Sequence, residues 1–150
     1  MIYVLAILIG VAAGLRAVTP IAAISWGAYL GWIDLSTTPL GFLGNIIAVI
    51  IISLLAIAEL VSDQLPNTPS RKVPVQFGTR IVLGALAGAL LMPANWIIGA
   101  ILGALGAVLG TIGGADIRAR LAKALGRDLP AALIEDVVAV GLAFAVVYLA

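Results

Sequence analysis

Phe42-Leu-Gly-Asn-Ile-Ile-Ala-Val-Ile-Ile-Ile-Ser-Leu-Leu-Ala-Ile-Ala58, closed by Glu59-Leu-Val-Ser-Asp63 and then Gln64-Leu65-Pro66, is the stretch that decides the fold. Its apolar run, with Asn45 a minor polar exception, is the most secure membrane span in the chain. The two carboxylates that end it lie four residues apart, so a continuing helix sets both on one face. Carboxylates near the end of a span are costly unless they meet a cation, a polar cavity or the interface. The remaining charges are read as answers to that demand.

Composition agrees with a membrane setting. The 150 residues are 63% hydrophobic and 10% charged, with a mean hydropathy of +1.24, whereas soluble domains carry about 25% charged residues. Short polar punctuations between apolar runs predict an all-α, polytopic transmembrane helix bundle of about five spans in one domain, residues 1–150. A formal charge of +1, with no long basic tract and no aromatic-basic interleaving, argues against a nucleic-acid partner. Without Cys or His, thiol chemistry, disulfides, histidine acid-base work and most zinc sites are excluded. No cofactor is expected. The apolar N-terminus lacks a leading basic residue, since Arg16 follows the run, and is read as a retained span instead of a cleaved signal.

Working outward toward the N-terminus, Met1–Leu15 gives a helix of about 22 Å, short of a hydrocarbon core of about 30 Å. Arg16-Ala-Val-Thr19-Pro20 then interrupts it before a second apolar run to Trp32. Two readings follow: one kinked span from about Ile2 to Leu30, or two half-helices meeting at a break, as in transport proteins with discontinuous helices. Trp26, Tyr29 and Trp32 suit a membrane boundary. Asp34–Gly41 reads as a turn whose polar side chains cap a helix near Phe42.

In the other direction, Gln64–Gln76 forms a polar connection with three prolines. A helix is expected from about Val75, with Thr79 and Arg80 in its first turns, to Met92. Pro93-Ala-Asn95 is a tight turn, and Trp96 opens a span to about Ile112, which makes the two an antiparallel hairpin. Gly84 with Gly88, Gly99 with Gly103, and Gly106 with Gly110 present grooves for close helix packing, within or between subunits. Self-association through these faces, as a homo-oligomer such as a dimer, is expected. Beyond Gly114, Arg118, Arg120, Lys123 and Arg127 supply interfacial cations. Arg120 and Lys123 stand opposite Ile117, Leu121, Ala124 and Leu125, predicting a short separate helix lying at the interface against lipid headgroups. Asp128 caps a final span that carries Glu135 and Asp136 in its early turns and runs to Tyr148.

Cations cluster in two connections, Arg71, Lys72 and Arg80 in one and Arg118, Arg120, Lys123 and Arg127 in the other, and two spans separate them. Both connections can therefore be cytoplasmic. The N-terminus is then cytoplasmic and the C-terminus outside, unless the first segment is re-entrant, which reverses the N-terminal assignment. Gly10-x-x-x-Gly14-x-Arg16 echoes Gly110-x-x-x-Gly114-x-x-x-Arg118, and the two units are expected to enter from opposite sides as an inverted repeat.

The polar centre predicted from these pieces comprises Arg16, Thr19, Glu59, Asp63, Arg80, Glu135 and Asp136. Pairing is expected between Glu59 or Asp63 and Arg16 or Arg80, and between Glu135 or Asp136 and Arg118 or Arg120. Such a centre suits a small transporter or channel for an ion or small polar solute, or a structural or lipid-headgroup-interacting protein held by ion pairs. Hydrolysis is a poorer fit, for no nucleophile constellation is recognisable. Mg²⁺ is conceivable with oxygen ligands, but two acids on adjacent helical turns are weak evidence for it.

Gly14-Leu15-Arg16 with Pro20, Glu59-x3-Asp63-x2-Pro66 followed by Arg80-x3-Gly84, and later Arg118, Arg120, Glu135 and Asp136 together resemble an uncharacterised family of small bacterial integral membrane proteins, domain of unknown function 4126. The resemblance covers nearly the whole chain. It implies a multi-pass protein of the bacterial cytoplasmic (inner) membrane and carries no activity. The His residues associated with longer relatives are absent here, so no histidine mechanism is implied.

Overall fold

The computed structural model describes all 150 residues, arranged as six α-helices without strands. They are α1 (Ile2–Leu15), α2 (Thr19–Tyr29), α3 (Ile46–Ser62), α4 (Pro74–Leu91), α5 (Trp96–Leu125) and α6 (Asp128–Leu149). Two short 3-10 turns, Gly41–Gly44 and Pro93–Asn95, lead into α3 and α5. The segments α4, Pro93–Leu125 and α6 are long and apolar enough to cross a membrane, and α1 and α3 are shorter apolar helices.

Helix α1 is the central element, packed on α5, α4, α6 and α2. Glycine makes its approach to α5 possible. A Cβ at Gly10 would collide with the backbone of Gly103, one at Gly14 with the backbone of Ala107 through Thr111, and one at Gly106 with the Ile7 carbonyl. Gly84 faces Gly103 and Gly88 faces Gly99 in the same way between α4 and α5. All six predicted packing glycines therefore work inside one chain, against another backbone. The faces expected to join two subunits are already occupied.

The order of these contacts gives the helix directions. Gly10 meets Gly103 and Gly14 meets Gly110, so α1 and α5 run parallel. Arg16 meets Asp136 and Gly27 meets Val147, so α2 runs parallel to α6. Because α6 returns along α5, with Gly114 near Glu135 and Arg118 bonded to Asp128, α2 must return along α1. The first apolar segment is thus a helical hairpin that reverses at Arg16–Val18, in place of a kinked span. Its termini lie with the aromatic pairs Trp26–Tyr29 and Trp32–Tyr148 at one end of the bundle. The core between its arms contains Leu5, Ile9, Ile21, Ile24, Leu43 and Val146.

Three further expectations change. Residues 114–125 continue α5 as one helix of 30 residues, about 45 Å long. No separate interfacial helix forms, because nothing before Gly126, at φ +72°, forces the backbone out of the helical region. The repeat is not inverted: α1 and α5 run the same way because the hairpin adds a reversal that a single crossing would not. Finally, α3 begins after Asn45, whose side chain accepts a hydrogen bond from the Ile47 N–H at 2.9 Å. Asn45 is the N-cap, and Phe42 stays in the preceding turn.

Candidate functional site

A helix that stops inside a bundle leaves carbonyls without donors at its end, and one that starts there leaves N–H groups without acceptors. Both occur at the Arg16–Val18 reversal, where Arg16 is extended (φ −142°, ψ 114°) and Pro20 lies in the first turn of α2. Side chains from other helices meet each demand. Arg80 Nη1 of α4 donates to the Gly14 and Leu15 carbonyls at 3.0 and 2.8 Å, placing a cation at the negative end of α1. Glu59 of α3 accepts from the Ala17 and Val18 N–H groups at 2.6 and 2.9 Å, placing an anion at the positive end of α2. Of the acidic face expected to pair with Arg16 or Arg80, Asp63 does so, whereas Glu59 holds a backbone turn instead of a guanidinium.

Arg16 has no solvent exposure and gathers acids from two directions. Its Nε donates to Asp136 Oδ1 at 2.6 Å, and its Nη1 to Asp63 Oδ2 at 2.9 Å. Asp63 also lies 3.5 Å from Arg80 Nη2. Asp136 accepts a second bond from Gln64 Nε2 at 2.9 Å. Glu135 is held by both terminal nitrogens of Arg71, with Nη2 to Oε2 at 2.8 Å, and lies 3.5 Å from Arg118 Nη1. Arg118 in turn grips Asp128 through two bonds of 3.0 and 2.7 Å. A lone charge at this depth would be prohibitive, but bidentate and shared pairs offset much of the desolvation cost.

The structure thus gathers Arg16, Thr19, Glu59, Asp63, Arg80, Glu135 and Asp136 around one level of the bundle. The expected Glu135–Arg118 pair forms, whereas Asp136 turns to Arg16. Of the four cations assigned to the interface, Arg118 joins the polar layer, while Arg120, Lys123 and Arg127 are exposed and form no ion pair. Two members, Arg71 and Gln64, lie in a proline-rich connection where no periodicity pointed inward. Asp128 is a partner of Arg118 and donates no cap to α6.

Above the layer, a vestibule of about 400 Å³ opens at the end that carries the cations. Asp63, Gln64, Arg71, Arg80 and Arg118 line its floor and walls. All eight Lys and Arg residues lie at this end, with six of the seven acids, for a formal charge of +2; Asp34 is the one charged side chain at the other. Below the layer the space between the hairpin arms is filled by the apolar core.

A family model described as a domain of unknown function, DUF4126, matches residues 3–149. No curated protein and no solved structure matches the chain.

Proposed function

This chain belongs to the DUF4126 family, and because that family has no assigned activity we propose its function from the geometry: a small membrane carrier for an ion or small polar solute. The observation that supports this reading is a break in a helical hairpin, with buried charges around it, at the floor of a vestibule open to one side. Broken helices create ligand sites at membrane depth because their ends present unsatisfied backbone groups. Access from the cationic end with an apolar seal on the other side describes one state of a carrier better than an open pore.

In this reading α3, α4, α5 and α6 each cross the bilayer once, while α1 and α2 enter and leave from the same face. The positive-inside tendency puts the vestibule in the cytoplasm of a bacterial cell and both termini outside its inner membrane. Flux of ions and small anions into proteoliposomes, measured for wild type and for Glu59→Gln and Arg16→Gln, is the test. Solute-dependent flux that either folded variant reduces severalfold is the expected result. A wild type that moves none of the solutes while both variants stay folded removes the carrier reading. The second reading, a scaffold that binds lipid phosphates, draws support from the dense pairing around Arg16 and from exposed Arg120, Lys123 and Arg127. Loss of assembly in Arg16→Gln without any wild-type flux would favour it.

A further inference from the structure

Three buried side-chain atoms in the molecule lack a hydrogen-bond partner: Thr19 Oγ1, Arg80 Nε and Arg16 Nη2. All belong to residues that build the α1–α2 break, and all can donate. Arg16 Nη2 is in ion contact with Asp136, so the two atoms with neither a hydrogen bond nor an ion contact are the Thr19 hydroxyl and Arg80 Nε. Thr19 is 3% exposed and Arg80 is 2% exposed. Thr19 opens the first turn of α2, directly after the Ala17 and Val18 N–H groups that hold Glu59. Surplus donors beside a helix N-terminus call for an acceptor, and no buried carboxylate or side-chain amide oxygen lacks a donor. A cation site would show the opposite imbalance.

We infer that the α1–α2 break is a binding site for a small inorganic or one-carbon anion, and that the Glu59 carboxylate is its tethered occupant, displaced when the solute enters. The inference rests on the carrier reading for its access route, which runs through the vestibule along Arg80. The chemistry of the site sets the ligand class. Two backbone N–H groups now hold a carboxylate, so what replaces it is of carboxylate size and singly charged, such as formate, nitrate or chloride. Arg80 belongs to both places, since it lines the vestibule and caps α1. An anion attracted by the +2 end therefore reaches the break along one guanidinium.

Glu59→Ala exposes the site without requiring transport. Its thermal stability in detergent is expected to fall below wild type and to rise again by several degrees, with the logarithm of formate, nitrate or chloride concentration, once binding begins to saturate. Gluconate, too large for the gap, is expected to give no more than a general salt effect. Thr19→Val in the same background is expected to weaken the formate response severalfold. Equal responses in wild type and Glu59→Ala, or equal responses to gluconate and formate, overturn the inference. If Glu59→Ala yields no folded protein, the titration is made on Glu59→Gln, whose amide cannot accept from both N–H groups through two oxygens. Anion rescue without wild-type flux leaves the site standing and removes the carrier; cation flux without rescue does the reverse.

Discussion

At Arg16, a guanidinium with no exposure holds one acid from the end of α3 and one from α6, 47 and 120 residues away in the chain. Removing one member of such a cluster leaves opposite charges buried and unpaired, at a cost of about 3–5 kcal/mol. Arg16→Met is therefore expected to lose that much stability, measured by denaturation in detergent. Arg118→Met is expected to lose about 1 kcal/mol, because one partner, Asp128, is 64% exposed in the side chain and can return to water, and the other, Glu135, keeps both of its bonds to Arg71. Equal losses for the two would show that Arg16 is not the hub. The acids and Arg16 were legible as a polar centre because ionised groups inside apolar runs have few alternatives. Arg71 and Gln64 were not, since a loop residue carries no periodicity to say which way it faces.

Among the elements, α1, α4 and α5 owe their closeness to glycines set against each other's backbone. Gly103 faces the Gly84 carbonyl, so Gly103→Ala forces two backbones apart and is expected to destabilise by about 1–3 kcal/mol. Gly113 sits in the same helix with nothing near a new Cβ, and Gly113→Ala is expected to be neutral or stabilising by up to about 1 kcal/mol. Thermal unfolding of the two variants makes the comparison, and a Gly103 variant as stable as wild type would disprove the packing argument. The four-residue spacing announced these faces in the sequence. It did not say that the partners were helices of the same chain, because a small-residue groove is complementary to any similar groove. The 30-residue α5 was misread for a related reason: a change from apolar to charged composition alters where a helix lies, without breaking it.

For the molecule as a whole, the hairpin changes the topology, and labelling can detect it. Since the native chain has no Cys, single cysteines at Thr37 and Ala150, together with a tag at Met1, are expected to react from one face of the membrane. Cysteines at Ser70 and Lys123 are expected to react from the other. A tag at Met1 that shares a side with Ser70 would restore the single kinked span and defeat the hairpin. What the amino-acid order determined by itself was membrane residence, helical class, most helix positions and the membership of a charged centre. Those follow from local hydropathy, from the need to satisfy backbone groups within a segment, and from the cost of isolated charge in lipid. Only the tertiary structure decided that the chain turns back at Arg16, that the repeated units run the same way, and that Glu59 serves a backbone turn. The two ends at that turn are stabilised by Glu59 and Arg80, which lie more than forty and sixty residues downstream, and no local pattern records a partner at such a distance.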